Sequence, residues 1–323
     1  MDQKPDPIDI IMRSDNDRMI IERTLEQLLI QDRSYRLFVI DSESTDGTRE
    51  LAQHYAHEVI DIPAGMYAPG HVLNEGMRAT TSPIVVVLDS DCTPVDNVWL
   101  STLVDGFEME TQCAARFGRQ IPRSGCRPLF AKDIEAAFGD GHRQASRKHC
   151  FSMGSSAIRR TVWEEMPFND RLAHSEDVEW TWRAKQRGYT IRYIPESRVF
   201  HSFNYTLGQS YRRYRSRGLT EAQIFHWTTW EESFLRYTLL PLMHHVASDW
   251  KFCLRHFHLL SMFHSPLLRL AQAWGRHRGF QDGLRKMETM CPPERIAEVL
   301  REGFREELDT KTENETKEEV PIH

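Results

Sequence analysis

The chain of 323 residues lacks closely spaced cysteines, an excess of basic residues and long apolar runs. Its six cysteines are scattered and form no Cys-x-x-Cys pair, which favours free thiols over a disulfide framework or a zinc site. The 41 basic and 47 acidic residues give a formal net charge of −6, so we expect no nucleic-acid partner. Because there is neither an apolar N-terminal segment nor a run of about 18 apolar residues, we expect a cytoplasmic protein.

The first half of the chain alternates short apolar runs with amphipathic segments. Runs rich in Ile and Val predict strands, and the segments between them predict helices. The predicted strands are Ile8–Met12, Leu37–Ile40, Glu58–Ile62 and Ile84–Leu88, and the predicted helices are Asp17–Ile30, Thr48–Tyr55 and Val72–Thr80. Such alternation is typical of an α/β fold with a mixed, mainly parallel sheet flanked by helices.

The second half is less regular and ends in helical patterns. Further strands are predicted at Cys113–Gln120, Phe151–Ile158 and Thr190–Ile194, with a helix at Glu176–Arg187. Apolar residues at helical spacing follow in Leu207–Phe225, Glu232–Leu260 and Pro266–Arg276. We therefore predict an α/β domain over residues 1–218, a helical C-terminal region over 219–305 and a disordered polar tail over 306–323.

Polar residues follow the predicted parallel strands, where α/β sheets bind their ligands. Asp89-Ser90-Asp91 comes directly after a buried apolar strand, and its two carboxylates leave that strand on the same side. Carboxylate oxygens suit Mg²⁺ or Mn²⁺, which also bind substrate phosphates. Asp41 ends the second strand, where it either accepts a hydrogen bond from a nucleoside or caps the turn before the next helix.

Two further groups have both a functional and a structural interpretation, and a third has a functional one. In Ser175-Glu176-Asp177, the acids either cap the following helix or supply a general base, and we favour Asp177 as the base with Glu176 in support. His201 follows an apolar strand, where it is either a further metal ligand or an ordinary packed histidine. Arg119 is suited to binding phosphate through its planar guanidinium.

In this order the motifs resemble those of family 2 glycosyltransferases with the GT-A (Rossmann-like) fold, and especially bacterial rhamnosyltransferase-type enzymes of surface polysaccharide assembly. The resemblance covers about Ile8 to Gly218. Its motifs are Ile10-Ile11-Met12-Arg13-Ser14, Ile40-Asp41-Ser42-Glu43-Ser44-Thr45-Asp46-Gly47-Thr48, Gly70-His71-Val72-Leu73-Asn74-Glu75-Gly76, Asp89-Ser90-Asp91, Gly118-Arg119-Gln120, Ser175-Glu176-Asp177 and His201-Ser202-Phe203-Asn204-Tyr205-Thr206-Leu207.

The resemblance implies a role for each matched residue. Asp91 would bind the metal, Asp89 the ribose or the metal, and His201 the metal or the diphosphate. Asp177 would be the catalytic base of a displacement that inverts the anomeric carbon. The residues expected to bind the nucleotide-sugar are Arg13, Asp15, Asp41, Asn74, Asp89, Ser90 and Arg119.

The expected activity is transfer of a hexose from a nucleotide-diphosphate donor to a glycan or lipid-linked glycan, with Mn²⁺ or Mg²⁺ as cofactor. The resemblance favours rhamnose as the sugar and leaves open a peripheral contact with the inner face of the cell membrane. One alternative is a sugar-nucleotide pyrophosphorylase, which would carry a glycine-rich N-terminal loop that residues 12–16 lack. The other is a non-catalytic nucleotide-binding scaffold, although both acidic motifs are intact.

Overall fold

The computed structural model describes residues 6–63, 65, 67–141, 151–225 and 234–290. Among these residues, eight strands form one sheet. In chain order they are β1 (Ile8–Ser14), β2 (Tyr35–Asp41), β3 (Glu58–Asp61), β4 (Ile84–Asp89), β5 (Thr93–Pro94), β6 (Cys113–Ile121), β7 (Ser155–Arg159) and β8 (Thr190–Phe200). The order across the sheet is β3-β2-β1-β4-β7-β6-β8-β5.

Helices flank this sheet and continue after it. They are α1 (Arg18–Leu29), α2 (Thr48–Gln53), α3 (Pro69–Ala79), α4 (Trp99–Val104), α5 (Pro128–Phe138), α6 (Arg160–Glu165), α7 (Glu176–Gln186), α8 (Leu207–Phe225), α9 (Leu240–Arg255) and α10 (Leu259–Met290). A π-helical turn, Leu235–Leu239, leads into α9. The predicted α/β architecture with helical segments at its C-terminal side is confirmed for the described residues.

Alternation along the buried strands builds a core on each face of the sheet. Ile10 and Met12 of β1 pack in the same cluster as the buried residues of α1, whereas Ile11 packs with those of α3 on the other face. A Cβ at Gly76 in α3 would lie only 2.7 Å from a methyl group of Ile11, so the glycine lets this helix approach β1 closely.

Parallel pairing brings the polar ends of three strands together. β1 lies between β2 and β4 and is parallel to both. In this register Ser14 is opposite Asp41, and Arg13 is opposite Asp89. The antiparallel pairing of β7 with β4 and β6 then joins β8 to the same sheet. The carboxyl ends of β1, β2 and β4 therefore form one polar edge, as the sequence predicted.

Two strands differ from their predicted lengths. β7 begins at Ser155 rather than at Phe151, because Met153 and Gly154 form a turn before it. The sequence pattern predicted that β8 ends at Ile194. In the structure the strand continues past Pro195 to Phe200. Its pairing with β6 shifts between Gly118 and Arg119, and this irregularity places Pro195 outside the ladder so that the strand resumes after it.

The predicted helix Glu232–Leu260 is divided in the structure. α9 ends at Arg255, and Phe257 adopts the left-handed conformation with φ 58° before α10 begins at Leu259. α10 then runs through Pro266, which was predicted as its first residue. Pro266 cannot donate to the Met262 carbonyl, but the indole N–H of Trp250 binds that oxygen at 3.1 Å.

The described residues divide into two compact units. The first combines Met1–Thr206 with Val246–Pro266, and the second combines Leu207–His245 with Leu267–His323. The predicted boundary at residue 218 falls within α8, and the predicted tail, residues 306–323, lies outside the described residues. In the ranges that the structure covers, no helix is both long enough and apolar enough to cross a bilayer.

Candidate active site

A partly buried arginine joins two of the predicted acidic motifs. Arg13, near the end of β1, donates from Nε and NH2 to the two carboxylate oxygens of Asp89, at 2.8 and 2.9 Å. Its NH1 group donates to Glu176 Oε1, at 2.9 Å. Burial lowers the pKa of Arg13, but the charges of Asp89 and Glu176 outweigh burial and leave the pKa raised. The guanidinium therefore stays charged and fixes both carboxylates in place.

Asp41 holds the turn that follows β2. Its fully buried carboxylate accepts hydrogen bonds from the Ser14 hydroxyl at 2.9 Å and the Ser44 hydroxyl at 2.7 Å, and from the Ser44 backbone N–H at 2.9 Å. Asn16, with φ 53°, accepts from the Thr45 backbone N–H at 3.0 Å. These contacts tie the loop after β1 to the loop after β2 and shape the edge of the site.

Ser90 and Asp15 contact protein groups around this edge. The Ser90 hydroxyl donates to Asp17 Oδ2 at 2.5 Å, and the Ser90 carbonyl accepts from Thr24. Burial raises the pKa of Asp17, and the nearby charges of Asp91 and Asp15 raise it further, although the Ser90 hydrogen bond opposes them. Exposed Asp15 accepts from the Asn16 side-chain amide at 2.8 Å.

Asp91 and His201 lie together, although 110 positions separate them in the sequence. His201 Nε2 is 3.2 Å from Asp91 Oδ2, and His201 Nδ1 is 2.7 Å from Gln120 Oε1. Because the Gln120 amide oxygen only accepts, Nδ1 donates to it, and Nε2 is the ring nitrogen that faces Asp91. Burial raises the pKa of Asp91, but the hydrogen bond and charge of His201, and the charge of Arg123, leave it lowered.

The Asp91–His201 pair has the donor chemistry of a cation site. Among the described residues, ligand atoms of Asp91, Cys92 and His201 lie within 4.8 Å of one another. Burial raises the pKa of Cys92 well above its ordinary value, and the charges of Asp91 and Asp89 raise it further. The Cys92 thiol donates to Asp91 Oδ1, and Asp91 and His201 offer one carboxylate and one oriented imidazole to a cation. The residues present thus fit a divalent cation.

Other predicted site residues lie in different surroundings. Buried Asn74 donates to the Phe168 carbonyl at 2.9 Å and accepts from the Trp163 indole at 2.9 Å, so its amide is used inside the protein. Arg119 contacts Glu135 at 3.2 Å, and its buried Nε has no hydrogen-bond partner among the described residues. Asp177 lies in the first turn of α7, where its Oδ1 accepts from the Val178 backbone N–H at 2.8 Å.

Sequence reasoning missed several residues that the fold brings to this site. Arg123 donates to the Asp91 carbonyl. Burial raises the pKa of Tyr67, as do the charges of Glu176 and Asp89, while Arg13 opposes them, so its hydroxyl lies near that cluster. A Cβ at Gly154 would lie 3.0 Å from Asp89 Oδ2, so a glycine leaves room for that carboxylate. Gln120, which binds His201, lies in the Gly118-Arg119-Gln120 motif. Nothing in the sequence indicated Arg123, Tyr67 or Gly154.

Comparison with known proteins finds a family that matches the part of the chain containing Arg13, Asp41, Asp89 and Asp91. Residues 9–166 match the family described as glycosyl transferase family 2. An O-antigen chain rhamnosyltransferase, WbaN, of Salmonella anatum is 30% identical over 198 residues, which cover 58% of this chain and 62% of that protein. Glycosyltransferase AglE of Haloferax volcanii is 26% identical over 182 residues, covering 49% of this chain and 54% of that protein. The chain thus spans less than two thirds of the length of these relatives.

A solved structure shows the same fold. A mannosyltransferase from Pyrobaculum calidifontis, determined in complex with GDP-Man and Mn²⁺, has a TM-score of 0.53 and 18% sequence identity. The match covers 93% of this chain and 80% of that one. The mixed sheet with its flanking helices is therefore the GT-A fold, as the sequence motifs predicted.

Proposed function

We propose, from the premise that the chain belongs to glycosyl transferase family 2 through residues 9–166, that it transfers a sugar from a nucleotide-diphosphate donor to a glycan or lipid-linked glycan. The observation that carries the proposal is the Asp91–His201 pair, 3.2 Å apart, at the strand edge where Arg13 binds Asp89 and Glu176. This edge is where α/β sheets bind nucleotides. The acceptor belongs to surface polysaccharide assembly, and the site faces the cytoplasm at the inner surface of the membrane.

Asp91 and His201 would hold the cation through Oδ2 and Nε2. A divalent cation bound there would supply Lewis-acid chemistry, by neutralising charge on the diphosphate leaving group. Mg²⁺ prefers an all-oxygen shell, whereas a nitrogen ligand beside a carboxylate is better tolerated by Mn²⁺. We therefore favour Mn²⁺, the cation present in the mannosyltransferase of the same fold.

The nucleotide would lie across the ends of β1, β2 and β4. Each Asp89 oxygen already accepts from Arg13, and its remaining lone pairs suit the ribose hydroxyls. Buried Asp41 would serve the nucleoside by holding the loop around it, with Asp15 and Ser90 at the same edge. The unpartnered Nε of Arg119 is suited to a phosphate oxygen. Asn74 would contribute indirectly, by fixing α3 to Phe168.

Asp177 would take the proton from the acceptor hydroxyl. The contact between Glu176 and Arg13, at 2.9 Å, supports a positioning role for Glu176 and the choice of Asp177 as the base. The transfer would then be a direct displacement that inverts the anomeric carbon. Rhamnose is the favoured sugar, because the Salmonella anatum relative is named as a rhamnosyltransferase.

The test is turnover of a panel of nucleotide-sugars with Mn²⁺ and an acceptor mixture, with the released nucleotide identified by mass spectrometry. We expect one donor to release a nucleoside diphosphate. Asp177→Asn should keep Mn²⁺-dependent donor binding but lose about 100-fold or more in kcat. Asp105→Asn, at an exposed aspartate that pairs with Arg33, is the control and should keep full activity.

Three outcomes would contradict parts of this proposal. Pyrophosphate release from a nucleoside triphosphate and a sugar 1-phosphate would identify a pyrophosphorylase. Donor binding without turnover of any donor would indicate a nucleotide-binding scaffold. Full activity of Asp177→Asn would leave the transfer standing and disprove the assignment of the base.

A further inference from the structure

The turn between α9 and α10 exposes a group of large apolar side chains. We call residues 250–264 the hairpin tip, and all of them belong to the first compact unit. The exposed fractions are 45% for Trp250, 58% for Leu254, 88% for Phe257, 88% for Leu260 and 75% for Phe263. A cluster of exposed aromatic and leucine side chains on one turn is typical of a surface that binds a partner.

The hairpin tip is held firmly on the first unit. Asp249, directly before it, is fully buried, and its two oxygens bind Lys132 of α5 and the Ser265 hydroxyl, each at 2.6 Å. The Trp250 indole also bridges to the Met262 carbonyl, across the turn. The apolar side chains are therefore presented by a turn that is fixed at both of its ends.

The backbone at Phe257, the apex of the hairpin tip, adopts a conformation that favours glycine. Phe257 has φ 58°, and the His258 N–H closes the end of α9 by binding the Cys253 carbonyl at 2.8 Å. This helix ending normally carries glycine at the left-handed position, because a Cβ is strained there. This strained phenylalanine is 88% exposed and does not pack in a core. We therefore infer that it contacts a partner outside the chain.

The charge of the hairpin tip indicates which kind of partner it binds. Residues 250–264 contain Lys251, Arg255 and three histidines, and they contain no aspartate or glutamate. The whole chain, by contrast, carries a net charge of −6. Basic residues beside exposed aromatic and leucine side chains match an anionic lipid surface, where the apolar groups enter the interface and the cations bind headgroups.

We propose that the hairpin tip docks the protein on a bilayer that contains anionic lipid. Phe257, Leu260 and Phe263 enter the interfacial layer, and Lys251 and Arg255 lie at the phosphate level. This docking does not depend on the proposed catalytic activity, because it uses side chains outside the site. If the acceptor is lipid-linked, docking would also bring the enzyme to its substrate.

The test is flotation of the purified chain with vesicles of phosphatidylglycerol and phosphatidylcholine, compared with phosphatidylcholine alone. We expect at least about tenfold tighter binding to the anionic vesicles, weakened by added salt. The double variant Leu260→Ser/Phe263→Ser should lose at least about tenfold in binding. Met109→Ser, at an equally exposed site elsewhere in the first unit, should bind as the unchanged protein does.

The Phe257→Gly variant distinguishes a loss of membrane docking from a loss of folding. Glycine suits the left-handed backbone, so this variant should keep or raise the melting temperature and still bind anionic vesicles more weakly. Equal vesicle binding by the double variant and the unchanged protein would overturn the proposal. Absence of vesicle binding, together with dimers in light scattering that the double variant abolishes, would instead make the hairpin tip an interface between two copies. Donor turnover without acceptor lipid, measured in parallel, reports separately on the proposed function.

Discussion

At the scale of single residues, the candidate metal site depends on how His201 is oriented. Gln120 accepts from Nδ1 at 2.7 Å, and Gln120 itself donates to the Ser152 hydroxyl at 2.8 Å. This chain of hydrogen bonds fixes the Gln120 amide and then the orientation of the imidazole, so that Nε2 faces Asp91. Such supporting contacts set how well a ligand binds its metal.

Replacing Gln120 tests this orientation without touching a ligand. Gln120→Met keeps the size of a buried side chain but removes the acceptor for Nδ1. We expect Mn²⁺ affinity to fall by about 10- to 100-fold, because the imidazole loses the contact that fixes its orientation. Isothermal titration calorimetry measures this affinity, and Gln53→Met, at an exposed glutamine of α2, is the control. Unchanged affinity in Gln120→Met would show that Gln120 does not position His201.

The sequence anticipated the acidic residues of the site better than the residues that support them. Asp89 and Asp91 follow an apolar strand, so their position was readable from the pattern of one segment. The contact between His201 and Gln120 depends on the pairing of β6 with β8. These two strands lie far apart in the sequence, because β6 ends at Ile121 and β8 begins at Thr190. Sequence periodicity carries no information about that pairing, and it also gave no reason to expect that Arg13 binds Asp89 and Glu176.

At the scale of elements, close packing of α8 on α10 depends on glycine. In the second unit, a Cβ at Gly279 would lie 1.8 Å from the Arg215 carbonyl, and one at Gly218 would lie 2.1 Å from the Arg276 carbonyl. The ion pair between Arg276 and Glu221, at 2.6 Å, lies along the same two helices. Backbone therefore meets backbone here, and an added methyl group has no room.

Gly279→Ala should destabilise the protein, although alanine favours helix by about 1 kcal/mol over glycine. Overpacking against a carbonyl costs about 1–3 kcal/mol or more, because the backbone cannot move aside as a side chain can. Gly208→Ala in α8 is the matched control, since its Cβ would meet only the end of Arg212, at 3.7 Å. Thermal unfolding followed by circular dichroism should show a lower melting temperature for Gly279→Ala alone. A melting temperature raised equally in both variants would contradict this packing.

Strongly periodic elements were predicted well, and short or interrupted ones were not. β1, β2 and β4 are continuous apolar runs, and the structure places them close to the predicted bounds. β5 has two residues and pairs with β8, so it is too short to show a periodic pattern in the sequence. β8 continues beyond Pro195 because of an irregularity in its pairing, and that depends on a neighbouring strand rather than on its own sequence.

At the scale of the whole molecule, the site exists only when the sheet is assembled. Arg13 and Glu176 are 163 residues apart in the chain, yet their side chains are 2.9 Å apart. The parallel half of the sheet supplies Arg13, Asp41 and Asp89, and the part that contains β8 supplies His201 immediately after its last residue. The fold thus joins the proposed nucleotide-binding edge to the proposed cation site.

The most direct test of this account is Mn²⁺ binding in the presence of a nucleoside diphosphate. Electron paramagnetic resonance follows the loss of the free Mn²⁺ signal, with dTDP, UDP and GDP tried in turn. We expect the unchanged protein and the Asp105→Asn control to bind one Mn²⁺ more tightly with one of these nucleotides than without it. Asp91→Asn should lose this nucleotide-enhanced binding, because it lacks the carboxylate ligand. Mn²⁺ binding by Asp91→Asn as tight as that of the unchanged protein would contradict the account.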